Sequence, residues 1–283
     1  MNNKPATAAG TVQLGDIVVN RMGLGTMRAT TDGPDIWGPP RDRAAAKKLL
    51  HRALDLGINF FDTADSYGPH ASETVIAEAL YPYPGDLVIG TKGGLVRPSA
   101  PRWDPDGRPE HLRRAVDGSL KRLKLERIDL YQLHAPDPKV PLADSVGALA
   151  EAQRAGKIRH LGLSNVSVKE LEEARRIAPI VSVQNEYNLE YRRSEDVLNA
   201  CERLGVAFMP WYPLGDGEVL GARKIKRLAA KLGAAPAQVA LAWLLARSPV
   251  MLPIPGTASI AHLEENTAAA ALKLFTEHVA VLD

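Results

Sequence analysis

The 283-residue sequence has a single cysteine, Cys201. One thiol cannot form an intramolecular disulfide, and that usage fits a reducing compartment. No stretch of about 18 apolar residues occurs, which argues against a transmembrane helix. The polar, Ala-rich positions 1–10 lack the apolar run of a signal peptide. Neither sign of charge dominates: 35 Lys and Arg stand against 33 Asp and Glu. This near-balance argues against a nucleic-acid or membrane surface. The seven histidines are scattered and include no His-x-His pair. That argues against a metal-dependent hydrolase, which needs clustered ligands. The expectation is a cytoplasmic protein with no metal, no nucleic-acid partner and no membrane partner. Nothing in the sequence indicates an oligomeric state.

What is present is alternation. Short apolar runs at 21–26, 59–62, 87–92, 128–134, 158–164, 181–184, 207–211 and 250–254 read as eight strands. Consecutive apolar residues, as in Leu87-Val88-Ile89, fit strands buried on both faces of a parallel sheet. Stretches between them carry helical spacing. The segment 41–56 places Ala45, Leu49, Ala53 and Leu56 on one face, with Gly57 as the stop. Segments 110–123, 142–155, 168–177, 222–232, 236–247 and 259–270 read likewise. Eight strand–helix repeats imply a closed (β/α)8 barrel or a long doubly wound sheet. With no composition break, one barrel domain over 1–283 is the simpler reading. The segment 11–19, with Leu14-Gly15-Asp16 between alternating residues, predicts an N-terminal β-hairpin at the bottom of the barrel.

In such barrels the chemistry sits at the C-terminal ends of the strands. Strand two ends in Asp62, with Tyr67 in the loop after it. Strand three ends in Lys92, four in His134, five in Ser164-Asn165, and seven in Trp211. Strand six carries Gln184-Asn185. A lysine ending a buried strand needs a carboxylate, and Asp62 on the adjacent strand is the natural partner. Each residue taken singly has a structural explanation: an ion pair, a core histidine, a packing aromatic. Together they suit carbonyl reduction. A nearby ammonium stabilises tyrosinate and eases proton release from Tyr67. Asp62 would hold Lys92, and His134 would polarise the carbonyl.

The segment Asn59-Phe60-Phe61-Asp62-Thr63-Ala64-Asp65-Ser66-Tyr67-Gly68 resembles the aldo-keto reductase signature. So do Gly90-Thr91-Lys92-Gly93, Gly162-Leu163-Ser164-Asn165, Ile254-Pro255-Gly256-Thr257 and Leu263-Glu264-Glu265-Asn266. The resemblance runs in order along nearly the whole chain. Trp37 to Arg43 and Gln184 to Asn188 resemble a bacterial subgroup that includes pyridoxal reductases. The resemblance implies Tyr67 as proton donor, Asp62 and Lys92 as the pair that tunes it, and His134 as the residue that orients the carbonyl. It implies an NADPH site, with NADH as a second candidate. Ser164, Asn165 and Gln184 would hold the nicotinamide carboxamide, Trp211 would stack on its ring, and Thr26 and Met27 would lie nearby. Pro213 and Leu214 would cross the pyrophosphate. Ile254 would border the cofactor, Gly256, Thr257, Ser259 and His262 would lie near the 2′-phosphate, and Glu265 and Asn266 would meet the adenine.

One departure is an absence. No Lys or Arg occurs between Gly256 and His262, so the 2′-phosphate would lack a charge-assisted partner there. Gly23-Leu24-Gly25 lacks the third glycine and following helix of a dinucleotide-binding turn, so it carries no Rossmann reading. The substrate, a small aldehyde or ketone, would meet Trp37, His70, Trp103 and the C-terminal tail. Arg28, Arg97 and Arg102 are candidates for an anionic substrate group, and the loop 31–40 is expected to be mobile without ligand. The short stretch after Leu272 suggests an open pocket and broad specificity. Rival readings are a Schiff-base barrel using Lys92, which Asp62 disfavours, and a cofactor-binding sensor of the same fold with little turnover.

Overall fold

The computed structural model describes residues 4–31 and 34–283. The parts of the 1–10 and 31–40 readings that fall on Met1 to Asn3 and on Asp32 and Gly33 lie outside these residues. Strands β1 (Thr11–Leu14) and β2 (Ile17–Asn20) pair antiparallel across Gly15 and Asp16, as expected for the hairpin. The chain continues through β3 (Leu24–Gly25), α1 (Met27–Thr30), α2 (Arg43–Asp55), β4 (Phe60–Asp62), α3 (Ala71–Leu80) and β5 (Val88–Gly93). A short antiparallel ribbon, β6 (Leu95–Val96) with β7 (Asp104–Pro105), precedes α4 (Pro109–Leu123). There follow β8 (Ile128–Leu133), α5 (Leu142–Arg154), β9 (Ile158–Ser164), α6 (Val168–Arg175), β10 (Ile180–Glu186), α7 (Glu195–Leu204) and β11 (Ala207–Trp211). Helices α8 (Arg223–Leu232), α9 (Pro236–Arg247), α10 (Ile260–Ala268) and α11 (Thr276–Leu282) complete the described chain.

Strands β3, β4, β5, β8, β9, β10 and β11 form one curled parallel sheet in chain order. With its helices, this is the arrangement of an α/β, TIM-like barrel. The expected eighth strand departs from the reading. Segment 250–254 makes only an isolated bridge, Met251 to Phe208. Pro253 and Pro255 supply no N–H, so a regular ladder cannot continue there. The segment still bonds to both edges of the sheet. Phe208 N donates to Val250 O at 2.9 Å, Leu252 N to Phe208 O at 2.8 Å, and Gly23 N to Pro253 O at 2.9 Å.

Helix ends follow local chemistry. Asp42 caps α2 by accepting from Ala45 N at 2.8 Å, and Gly57 beyond its end takes φ 87°. Ser167 and Glu170 form a reciprocal capping box on α6, satisfying donors that a helix start leaves open. Helices α3 and α7 were not among the periodic segments. The inward face of α3 carries Ser72 and Glu73, both fully buried, so its apolar stripe is broken. Among the described residues no single helix is long and apolar enough to cross a membrane.

Alternation along the strands divides the core in two. Phe61, Ile89, Tyr131, Leu161, Val183 and Phe208 face the helices. Phe60, Val88, Leu130, Ala207 and Met209 face inward, where Val12, Leu14, Ile17 and Val19 of the hairpin plug one end. Leu252 and Ile254 join this inner cluster. Close backbone approach there explains Gly23-Leu24-Gly25. A Cβ on Gly25 would lie 2.6 Å from Ile254 O. We expect Gly25→Ala to lower stability by about 1–3 kcal/mol, the usual cost of overpacking. A urea midpoint equal to that of the wild type would disprove this constraint.

Candidate active site

Period-two alternation also selects what each strand offers beyond the apolar plug. Phe60 is followed on its face by Asp62, Val88 by Gly90 and Lys92, and Leu130 by Gln132 and then His134. The polar ends of three neighbouring strands therefore converge on one rim. Lys92 is fully buried and uses all three ammonium donors. They go to Asp62 Oδ2 at 2.8 Å, the Thr63 carbonyl at 2.9 Å and Tyr67 Oη at 3.1 Å. An ammonium has no fourth donor and no acceptor, so Lys92 is locked. Asp62 Oδ1 accepts from Gln184 Nε2 at 2.8 Å, and Gln184 also donates to Gln132 Oε1 at 3.2 Å. Thr26 lies behind this group. Its N–H and hydroxyl both donate to the Asp62 carbonyl, at 2.9 and 2.8 Å.

The electrostatics follow from burial. Burial raises the Tyr67 phenol above its usual value, and Asp62 adds to the rise; Lys92 opposes it without reversing it. The lysine thus acts in the expected direction, but desolvation outweighs it. For Lys92 itself, burial disfavours the charge, yet Asp62 and Tyr67 together carry its pKa above the ordinary lysine value. Burial, helped by Lys92, holds His134 well below the usual histidine range. Its Nδ1 lies 3.2 Å from Ser66 Oγ, and its ring stands edge-on to Tyr67 at 5.8 Å between centroids.

A cavity of about 380 Å³ opens beside these groups. Its lining includes Asp62, Tyr67, His134 and Trp103, and also Met27, Ser164, Asn165, Gln184, Trp211, Pro213, Leu214, Ile254 and Gly256. Lys92 and Thr26 sit behind the wall. Thr257, Ser259, His262, Glu265 and Asn266 lie past the end of the cavity, at the start of α10 and along it. Ser259 Oγ caps α10 by accepting from His262 N at 3.4 Å, and Thr257 Oγ1 accepts from Ser259 N at 3.1 Å.

Three substrate-side expectations fall elsewhere. His70 is not in the cavity lining: it takes φ 66° before α3, and its N–H donates to Asp65 O at 2.7 Å. Trp37 also lies outside the lining and is tied to Gly68. The C-terminal tail packs against α8 and α9, and the Asp283 carboxylate accepts from Trp243 Nε1 at 3.1 Å and Arg192 at 2.9 Å. Arg28 lines the cavity and pairs there with Asp216 at 3.0 Å through one of its terminal nitrogens. Arg102 pairs with Asp104.

Thr63, Ser66, Gln132 and Tyr212 are contributors that the strand-end rule missed. Gln132 was legible, because it precedes His134 by two and so shares its face of β8. Thr63 acts through its carbonyl, which no side-chain pattern reveals. Tyr212 lines the cavity at φ 50°, a strained backbone that only the tertiary structure reports.

Comparison with known proteins agrees with this geometry. The aldo/keto reductase family model matches residues 21–283. The chain is 52% identical to an uncharacterized oxidoreductase of Schizosaccharomyces pombe, over 98% of this chain and 90% of that one. It is 45% identical to pyridoxine 4-dehydrogenase of Escherichia coli, over 98% of each. A solved thermostable aldo-keto reductase in complex with the inhibitor epalrestat superimposes with a TM-score of 0.85 at 33% identity, covering 96% of this chain and 98% of that one. An aldo/keto reductase of Klebsiella pneumoniae, solved with NADP and acetate, gives 0.82 at 29% identity, over 96% and 94%. By its sequence, its sheet and the groups gathered at the sheet's rim, this chain belongs to the aldo/keto reductase family.

Proposed function

We propose that the chain reduces an aldehyde or ketone to the corresponding alcohol, with NADPH as the hydride donor and NADH as an accepted substitute. The observation that carries the reading is the saturated Lys92. Its bond to Tyr67 Oη occupies an acceptor site on that oxygen, which leaves the phenolic O–H as a donor toward the cavity. As negative charge develops on a carbonyl oxygen, Tyr67 gives up this proton, and the locked ammonium stabilises the tyrosinate left behind. Asp62 keeps the ammonium in place. With Ser66 donating to Nδ1, the neutral His134 ring keeps its proton on Nε2, a second donor for the carbonyl oxygen. The cofactor supplies the hydride when bound. We also infer one domain over 1–283, with segment 250–254 closing the sheet as the eighth staves of a (β/α)8 barrel.

The unspent hydrogen-bonding capacity fits a nicotinamide carboxamide. Both N–H groups of Asn165 are taken, by the His134 carbonyl at 3.0 Å and Ser164 Oγ at 3.1 Å, and Gln184 donates to Asp62 and Gln132. Gln184 Oε1 and the second lone pair of Asn165 Oδ1, whose first takes Trp211 Nε1–H, therefore remain as acceptors for an amide NH2, and the Ser164 hydroxyl as a donor to an amide carbonyl. Trp211, held by its Nε1–H on Asn165 Oδ1 at 3.0 Å, offers a flat surface for the ring. Pro213 and Leu214 would border the pyrophosphate, and Glu265 and Asn266 would reach the adenine. At the 2′-phosphate, Thr257, Ser259 and the first N–H groups of α10 would act without a cation. We therefore expect NADPH to bind more tightly than NADH by less than about a thousandfold. Fluorescence titration with both cofactors checks this, and a larger ratio would refute it.

The relative named pyridoxine 4-dehydrogenase makes pyridoxal the first substrate to try. Mixed with NADPH and either pyridoxal or 4-nitrobenzaldehyde, the chain should oxidise the cofactor in an aldehyde-dependent reaction. Tight NADPH binding with no turnover across a broad panel of aldehydes and ketones would overturn the enzymatic reading in favour of a cofactor sensor.

A further inference from the structure

Arg97 differs from the other arginines named around the cavity and the β6–β7 ribbon. Arg28, Arg102 and Arg108 each pair with a carboxylate. Arg97 is 7% exposed, and no carboxylate ion-pairs with it among the described residues; the Asp35 charge acts on it only from farther away. Its Nε donates to the Arg102 carbonyl at 2.9 Å and one terminal nitrogen to the Asp35 carbonyl at 2.8 Å, while the other terminal nitrogen is buried with no hydrogen-bond partner among the described residues. Its remaining support is aromatic. The guanidinium carbon lies 3.8 Å from the centroid of the Trp103 ring and 5.2 Å from that of Trp37. A desolvated cation held this way is costly unless its position is used.

The local fold explains how it is held. In the β6–β7 ribbon Val96 pairs with Asp104, so Arg97 and Trp103 are the next residues facing each other where the ribbon opens. Trp103 in turn stands edge-on to Tyr67 at 6.3 Å and to His134 at 6.4 Å, and it lines the cavity. The guanidinium thus ties two loops together through their carbonyls and backs the one indole that touches both groups expected to meet the carbonyl. Trp37 contributes from outside the cavity, through Arg97.

We propose that Arg97 is a positioning residue: it fixes Trp103 as a rigid flat wall and so makes the site selective for planar aromatic carbonyl compounds over aliphatic ones. The proposal rests on the carbonyl-reductase reading and adds a substrate class to it. Stacking on a fixed indole strengthens binding of a flat ring by roughly two- to tenfold beyond simple burial. An alkyl chain gains little from that geometry. Lysine cannot replace Arg97, because a point charge cannot face two carbonyls while lying flat on a ring.

The test compares wild type, Arg97→Ala, Arg97→Lys, Trp103→Leu and the Arg97→Ala/Trp103→Leu double variant, with 4-nitrobenzaldehyde and with butyraldehyde. Both Arg97 variants should raise KM for 4-nitrobenzaldehyde by about tenfold, with kcat and the butyraldehyde constants within about threefold of wild type. Trp103→Leu should raise KM for 4-nitrobenzaldehyde more than for butyraldehyde, and the double variant should be no worse than Trp103→Leu alone, because the two residues act as one unit. Equal losses on both aldehydes would reduce Arg97 to a structural role. Additive effects in the double variant would also overturn the proposal. Quenching of tryptophan emission by 4-nitrobenzyl alcohol measures the same wall without turnover. There Arg97→Ala should weaken binding by about tenfold, and unchanged binding would refute the wall whether or not the enzyme turns over. A wild type that reduces neither aldehyde counts against the reductase reading instead.

Discussion

Replacing Tyr67 by Phe lowers kcat/KM for aldehyde reduction by about 10²- to 10⁴-fold, the range for losing a positioned general acid. The variant should still bind NADPH within about threefold of wild type, because the phenol oxygen is spent on Lys92 and the carbonyl. The pH profile gives a second signature. On the proposed mechanism the protonated phenol is the competent form for reduction, and burial holds its pKa above the ordinary tyrosine value. Reduction should therefore stay flat through neutral pH and fall only in alkali, above about pH 10. Alcohol oxidation needs the tyrosinate as base, so it should rise with pH over the same window. His134 should contribute no limb between about pH 6 and 8, because its depressed pKa keeps it neutral there. Steady-state rates in both directions across pH check these expectations. A Phe variant that keeps more than a tenth of wild-type kcat/KM would show that the proton comes from elsewhere.

Replacing Lys92 by Met costs both activity and stability. The ammonium sits between a buried carboxylate and the phenol. Its removal leaves the buried Asp62 carboxyl without its cation, held by Gln184 alone among the side-chain donors of the described residues. Breaking a buried pair from one side costs about 3–5 kcal/mol. That is a large share of the total stability of a typical domain. The rate should fall by a further factor of about 10² or more, since the tyrosinate loses its neighbouring cation. Adding Asp62→Asn to Lys92→Met should recover part of the stability, because the orphaned charge is then gone, but none of the rate. Urea unfolding and steady-state kinetics on the single and double variants separate the two losses. A Lys92→Met protein as stable as wild type would mean that the pair is not a net constraint on the fold.

Much of this site was legible from the strand ends. Asp62, Lys92 and His134 each close an apolar run, and period-two alternation carries them to one face. Gly57 likewise marked a helix end through its own backbone chemistry. The reading was weakest where a residue acts through its backbone or a role depends on a distant partner. Pro253 and Pro255 reduced the eighth strand to a few bonds. His70 proved to be a turn residue outside the cavity, because the chain needs a left-handed conformation before α3. Arg28 and Arg102 found carboxylates, one of them far along the chain at Asp216, whereas Arg97 did not.

The sequence by itself determined the seven parallel strands, most of the helices, the hairpin, and the residue types arriving at the rim. These depend on local propensity and periodicity, which act over a few residues at a time. Only the tertiary structure decided that Lys92 spends every donor, that burial outweighs it in setting the Tyr67 phenol, and that Trp103 rather than Trp37 or His70 stands at the cavity. Those outcomes turn on distance and desolvation between segments brought together by the fold, and neither quantity is written in any one stretch of the chain.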